Sequence, residues 1–262
     1  MRRYLRLFAV QLRASIELAL QYRVDFFVGG AMALFWLFWN LVPMVVVWGR
    51  RPTIAGWGFW EALLVVAWFT LLRGVLEGAV QPSLVQVVEH IRKGTLDFVL
   101  IKPADAQFLV STARFEPWRG LDSLGAVALA VYALHRLGRV PAPGEVAIAL
   151  LLTIAACALL YAFAILVVSA AFWVVRLDNL IYLFNSVFDA GRWPSTVFQG
   201  AWRVLFTFVV PLALMTTYPP LALLGRLKVA TALAGLAGAV AFVTMARLIW
   251  LRAIGHYTSA SS

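Results

Sequence analysis

Charge is what this sequence has least of. Asp, Glu, Lys and Arg make up 13% of its 262 residues and hydrophobic side chains 63%, for a mean hydropathy of +0.88. Soluble domains are about half apolar and about a quarter charged. This chain has too little polar surface to cover itself in water. That leaves an integral membrane protein with little or no soluble domain. Carboxylates are the scarcer sign, 12 against 22 Lys and Arg, so the net charge is +10. On a soluble fold that excess would suggest nucleic acid, but no basic stripe on such a fold is available to carry it. In membrane proteins Arg and Lys collect in cytoplasmic loops, where they fix orientation and meet anionic lipid. The expected partner is the lipid bilayer, with no nucleic acid.

Reactive groups are equally sparse. The one cysteine, Cys157, lies in an apolar run, so no internal disulfide can form and the residue reads as a small buried hydrophobe. The histidines His90, His135 and His256 are scattered and form no H-E-x-x-H pattern, so no metal site is expected. There is no G-x-S-x-G stretch. The most Gly-rich candidate for phosphate binding, "GRLKVATALAGLAG", lacks the G-x-x-x-x-G-K-[ST] order. The chain is expected to be no enzyme and to hold no cofactor of its own. Residues 1–120 and 121–262 show no internal repeat, which disfavours an ion-gradient carrier. That carrier is the alternative class, with a membrane scaffold behind it.

What is present is a set of long apolar runs. A helical span takes about 20 mostly apolar residues. Val24–Trp48, Trp57–Val80, Leu121–Leu137, Glu145–Val175 and Leu227–Leu251 qualify as spans. One more crossing falls between Arg176 and Arg226. Hydropathy alone places it at Gln199–Thr217. The alternative starts it near Leu177, turns at "GRWP" and uses residues 194–225 as two half-helices, since Pro194, Pro211, Pro219 and Pro220 are spaced as breaks. The expected fold is all-α, with six transmembrane helices in a single domain over residues 1–262. Residues 1–23 carry Leu5, Phe8, Leu12, Ile16 and Leu20 at helical spacing, with Arg2, Arg6, Arg13 and Glu17 largely elsewhere, which describes a helix in the membrane interface.

Six crossings put both termini on one side. With the N-terminus inside, that side holds Arg2, Arg3, Arg6, Arg13, Arg23, Arg92, Lys93, Lys102, Arg114, Arg119, Arg176, Arg247 and Arg252. The other side holds Arg50, Arg51, Arg136, Arg139, Arg226 and Lys228. The bias, about two to one, places both termini in the cytoplasm.

Residues 81–118 form the longest polar break. "SLVQVVEHIRKG" reads as a short amphipathic helix, with Leu84, Val85, Val88 and Ile91 at helical spacing, Glu89 beside them and Gly94 as the stop. "TLDFVLIKP" follows. Such a helix suits either a groove on a partner or the lipid headgroups, held by Arg92 and Lys93.

The stretch "IRKGTLDFVLIKP" resembles the signature of permease subunits of type-2 ABC exporters, in a bacterial group of six-span permeases. The matching positions are Ile91, Arg92, Gly94, Leu96, Asp97, Leu100, Lys102 and Pro103. "RWPSTVFQGAWRVLFTFVVPLALMTTYPPLALLGR" is similar to a second stretch of those proteins. The resemblance implies a cytoplasmic coupling helix in the 81–118 loop, contacting a cytosolic ATPase through Glu89, Ile91, Arg92, Lys93, Gly94, Leu96, Asp97, Lys102 and Pro103. It further implies two ATPase copies that carry the ATP and Mg²⁺, and a second permease, identical or a sister. The region 194–225 would be re-entrant. The location would be the bacterial plasma membrane, and the activity export of an amphipathic, drug-like or lipid-like substrate.

Charged and polar residues inside spans are costly and usually face protein or water. Arg73, Glu77 and Gln81 fall at i, i+4, i+8 and are expected on one helical face. They line a pathway or simply snorkel as a pair towards the interface. Asn185 and Asp189 share a face and are further pathway candidates, while Asp178 with Arg176 reads as a loop cap.

Overall fold

The computed structural model describes residues 2–21, 23–173 and 178–257. The start of a span near Leu177, the end of one at Val175, and the Asp178–Arg176 cap lie outside the described residues and side chains, as does the Arg23 side chain. The protein is helical almost throughout, and its only strands among the described residues form one two-residue hairpin.

Helix α1 covers Arg2–Gln21 and α2 covers Arg23–Trp48. The hairpin pairs Thr53 with Gly58 and Ile54 with Trp57. Its tip, Ala55 and Gly56, has positive φ at both residues (49° and 83°), the requirement of the two-residue turn whose twist matches the strands. The Trp48 indole donates to the Trp57 carbonyl and the Trp57 indole to Thr196 Oγ1, both at 2.9 Å, which anchors this end of the molecule.

Helix α3, Phe59–Val75, opens on Glu61, whose carboxylate takes the Gly58 amide at 3.0 Å. It runs without a break through a π-helical turn, Leu76–Val80, into α4, Gln81–Arg92. Pro82 does not stop it, because it follows directly on the π turn, where the i→i−4 ladder is already displaced. The result is a 35-residue rod, Phe59–Lys93. At ~1.5 Å per residue it is roughly 52 Å long, well beyond a hydrocarbon core about 30 Å thick. The helix therefore continues past Val80, where the sequence ends the span. The helix expected as a separate element of the loop is the same rod continued.

Two short helices follow, α5 (Asp97–Leu100) and α6 (Ala106–Ser111). Helix α7, Gly120–Arg136, packs along α3 more extensively than any other helix does. Small residues make the close approach possible. A Cβ on Gly78 would come within 2.8 Å of Arg119 Cβ, and one on Gly74 within 3.0 Å of Ser123 Oγ. Ala126, Ala130 and Ala133 are buried on the α7 side.

Helix α8, Pro143–Ser169, repeats the opening of α3: Glu145 takes the Ala142 amide at 2.9 Å and pairs with Arg139. Helix α9, Asp178–Asp189, leads to the turn at Trp193–Pro194. Helix α10 (Ala201–Val204) passes into a π-helical turn, Leu205–Val209. A second π turn, Ala213–Thr217, passes into α11 (Tyr218–Leu223). Gln199–Thr217 is thus not one helix. Val210 leaves helical geometry (φ −116°, ψ 93°) just before Pro211, the residue that clashes with a continuing helix. Helix α12, Val229–Ile254, closes the chain on α8.

Among the described residues, four helices could cross a membrane by length and composition: Phe27–Trp48, Phe59–Lys93, Pro143–Phe172 and Val229–Ile254. Helix α7, at 17 residues, is shorter than these. The core lies between α3, α8 and the 205–223 segments, with Phe69, Leu72, Leu152, Leu160, Ile165 and Met215 all but fully buried.

Candidate functional site

Charged side chains gather where α3, α7 and α9 meet. Arg73 Nε donates to Glu77 Oε1 at 2.8 Å, and Arg73 Nη1 to Asp189 Oδ1 at 3.0 Å. Arg119 Nη2 lies 2.7 Å from Glu77 Oε2, and its Nη1 lies 3.5 Å from Asp122 Oδ2. Arg192 Nη2 is 3.5 Å from Asp189 Oδ1. The chain Arg192–Asp189–Arg73–Glu77–Arg119–Asp122 alternates in sign, with three guanidinium groups against three carboxylates, and links α9, α3 and α7. The guanidinium groups of Arg73 and Arg192 also lie over the Phe69 ring, 5.9 and 5.6 Å from its centre. Fourteen residues separate Phe59 from Arg73, which is roughly 21 Å of helix.

Charge at such depth is stable only when paired, and pairing here needs helices that approach closely. Gly74 and Gly78 supply that approach. They let α7 sit close enough for Arg119 to reach Glu77 across the helix seam. At the edge of the chain, in the loop, burial pushes the Glu116 carboxyl above the ordinary carboxylate range, with Arg119 and Arg114 opposing.

Arg73, Glu77 and Asp189 are brought together; Gln81 and Asn185 are not in the chain. Gln81 was expected on the face of Arg73 and Glu77. The π turn inserts one residue into the helix and rotates everything beyond it by roughly 100°. Gln81 consequently borders a small apolar crevice with Leu76, Leu84, Ala164 and Phe184. Asn185 is partly buried on α9, one turn before Asp189. Arg119, Asp122 and Arg192 escaped sequence reasoning. Their signals were an Arg and an Asp flanking the start of a short apolar run, and the Arg of "GRWP".

The second region is the segment from α4 to α6. Helix α4 buries Ser83, Leu84, Val87 and Val88 against α6 and α8, and exposes Val85, Gln86, Glu89, Arg92 and Lys93. Its apolar stripe is thus used inside the molecule. Gly94 ends the helix at φ +65°, the left-handed conformation that glycine adopts freely. The Thr95 amide bonds the His90 carbonyl at 2.9 Å and the Gly94 amide the Ile91 carbonyl at 3.2 Å, the paired bonds of a Schellman motif. His90 Nδ1 and Thr95 Oγ1, 2.8 Å apart, fasten the same turn. Lys93 pairs with Glu89 at 2.6 Å on the surface. Leu96 is buried and fixes α5, while Lys102 and Pro103 are exposed. Phe98 and Ile101, 68% and 76% exposed, are the large apolar side chains that this turn presents outward.

One polar cluster ties that segment to the long helices. Asp105 caps α6 through the Phe108 amide (2.9 Å) and holds Arg247 of α12 at 2.5 Å. Arg247 also donates to Gln107 (2.6 Å), which donates to Tyr161 of α8 (2.9 Å). Tyr4 of α1 accepts the Asp105 amide at 3.2 Å.

A bundle with helices long and apolar enough to cross a membrane several times is that of a polytopic membrane protein. The sequence model for ABC-2 family transporter proteins matches residues 34–261, and the chain belongs to that family. It is an ABC transporter permease. Comparison with curated proteins and with solved structures returns no match.

Proposed function

We propose that the chain is the membrane-spanning subunit of an ATP-driven exporter and that residues 81–118 are its contact with a separate cytosolic ATPase. The observation that carries this reading is the α3–α4 rod. It reaches roughly 20 Å past the hydrocarbon core and ends in a fixed turn presenting Arg92, Lys93, Phe98, Ile101 and Lys102. A rigid lever of that kind transmits a push from an attached motor better than a loop does. The residues that could meet the ATPase are the exposed ones, together with Glu89, Asp97 and Pro103. Gly94 and Leu96 set the turn's shape, and Ile91 packs beneath it.

In this reading all of 1–262 is one transmembrane domain crossing six times, with both termini in the cytoplasm of a bacterial cell. Helix α7 is the third crossing. Helix α9 with the broken segments after it makes the fifth, residues 194–225 dipping into the bilayer from the outer side, and residues 1–23 lie in the inner interface. ATP and Mg²⁺ reside on two partner ATPase copies. A second permease, identical or a sister, completes the pathway. A cavity of about 200 Å³ lined by Leu159, Leu214 and Phe242, with Thr207, Tyr218 and Thr231, supports an amphipathic cargo, drug-like or lipid-like.

Purification in mild detergent followed by mass spectrometry of associated chains tests the proposal. An ATPase should co-purify at equal stoichiometry with the permease, and ATP turnover should require it. ATP hydrolysis by this subunit alone, or a subunit that transports without any ATPase, would overturn it.

A further inference from the structure

Between α1, α4 and the α5–α6 segment lies a cavity of about 180 Å³ that is separate from the charged chain and shares only Lys102 with the exposed turn. It is far larger than the ~10–15 Å³ that one water needs. Its floor is apolar: Val87, Val99, Leu109, Val110 and Ala113. Its polar lining comes from Gln11, Ser83, Gln86, His90 and Lys102, with no carboxylate among the lining residues. Two of these are already satisfied. Gln11 bonds Leu109 and Thr112, and Ser83 bonds the Arg114 backbone. His90 uses Nδ1 on Thr95, which leaves Nε2. The Lys102 ammonium and the Gln86 amide make no bond within the described residues.

The surroundings add positive charge. Arg3 of α1 donates to the Pro103 carbonyl, next to Lys102. Two carboxylates of the segment are paired elsewhere, Glu89 with Lys93 and Asp105 with Arg247. The α4 residues of the cavity, Ser83 to His90, lie roughly 36–47 Å along the rod from Phe59. If Phe59 starts near one face of a hydrocarbon core about 30 Å thick, the cavity begins at the outer edge of the far headgroups and opens to the water beyond, within reach of both a lipid headgroup and a soluble ester. The lining thus combines an ammonium, an imidazole nitrogen and an amide donor with an apolar floor and no carboxylate. Such a set recognises a phosphate ester whose organic part rests on the floor.

We infer that this cavity binds the phosphate ester of an anionic headgroup, with Lys102, Gln86 and His90 as its ligands, and so ties the interfacial helix α1 to the α4–α6 segment. The same chemistry is offered by lipids of the inner leaflet and by soluble phosphate esters. The experiment has an arm for each, and it uses the whole chain in detergent, independently of the exporter proposal. Native mass spectrometry or fluorescence titration is run with phosphatidylglycerol, with phosphatidylcholine and with glycerol 3-phosphate. The proteins compared are wild type, Lys102→Ala, Gln86→Leu and Lys102→Arg, with the exposed Lys93→Ala as control. Lys102 and Gln86 are surface-accessible, and unchanged thermal unfolding verifies that their variants fold. Phosphatidylglycerol should bind at least tenfold more tightly than phosphatidylcholine. Lys102→Ala and Gln86→Leu should each weaken it about tenfold, Lys102→Arg should restore most of it, and Lys93→Ala should change nothing. Glycerol 3-phosphate binding with the same variant pattern assigns the site to a soluble ester, and its absence assigns the site to lipid. Equal binding of both lipids without glycerol 3-phosphate binding, or loss equal in Lys93→Ala and Lys102→Ala, overturns the inference.

Discussion

Helices α2 and α3 have nearly equal hydropathy, yet 17% of the best α2 window is buried inside the protein against 72% of the α3 window. Helix α2 turns Phe35, Trp36, Phe38 and Trp39 outward. Helix α3 buries Leu63, Leu64, Phe69 and Leu72, and it also carries Arg73 and the glycines that admit α7. Lipid tails are as apolar as leucine, so hydropathy draws a helix into the membrane without saying what it will touch there. What separates the two helices is the minority of residues that are not apolar. Gly74, Gly78, Arg73 and Glu77 commit α3 to protein neighbours along its length, whereas in α2 Gly29 and Gly30 make such an approach, to Trp118 and Leu121, only near its start.

Truncating one large side chain on each helix tests this most directly. Phe69 has no exposed surface, stacks on Phe188 and lies under two guanidinium groups. Phe69→Ala should cost about 3–5 kcal/mol, seen as a fall in the unfolding midpoint of the detergent-solubilised protein. Trp39→Ala, at a side chain 57% exposed, should cost under about 1 kcal/mol. Equal losses would mean that α2 is covered as fully as α3, by a second permease and not by lipid.

A charge substitution on α3 comes next. Glu77→Leu removes the carboxylate that Arg73 and Arg119 share and leaves them only Asp189 and Asp122. Breaking a buried pair costs about 3–5 kcal/mol; the remaining partners and the partial exposure of Arg73 argue for less, about 2 kcal/mol. Glu77→Gln keeps the acceptor oxygen and should lose about half as much by the same thermal measurement. If Glu77→Leu is neutral, the chain of charges contributes nothing to holding α3, α7 and α9 together.

The same contrast explains what could be read from the sequence. The long apolar runs of α2, α3, α8 and α12 were legible, because twenty apolar residues have few alternatives in a bilayer. The Arg73–Glu77 pair was legible from its i, i+4 spacing, and Gly94 from its place after a periodic run. The position of Gln81 was not, since nothing in "VLEGAVQP" announces a π turn. The continuation of α3 into α4 was hidden by Gln81–Pro82, which resembles a helix end but follows directly on the π turn. The partners of the charged chain were hidden for a different reason. Arg119 and Asp189 are distant in sequence from Arg73 and Glu77; the close approach at Gly74 and Gly78 brings the start of α7 to α3, and no local pattern announces that α9 joins them.

At the far end of the rod the expected effects are smaller. Gly94→Val forces a β-branched residue into φ +65°, a conformation that costs L-residues about 1–2 kcal/mol. The variant should still insert, since the buried part of the rod is untouched. The turn that sets Phe98 and Ile101 should loosen, and capture of the ATPase in a pull-down should fall roughly tenfold for ~1.4 kcal/mol. Gly78→Val, on the buried part, should instead reduce the amount of folded protein.

The smallest effect belongs to Asp105 and Arg247, which join the 81–118 segment to α12. Partial burial raises the Asp105 carboxyl, but its hydrogen bonds from Arg247 and from the α6 amides outweigh that, and the net shift is below the ordinary aspartate value. A carboxylate whose pKa is lowered by folding contributes stability above its unfolded value, near ~3.9. That contribution is lost as pH falls through the lowered folded value. Both side chains are more than a third exposed, at 35% and 39%, so solvent screens the pair, and the contribution is about 1 kcal/mol or less. Between pH 5 and pH 3 the wild type should therefore lose slightly more thermal stability than Asp105→Asn, and the two curves should converge at the acid end. Parallel curves over that range would mean that the pair is an exposed contact of no energetic weight, and that the α6 segment is held to the long helices by Gln107 and Tyr161 instead.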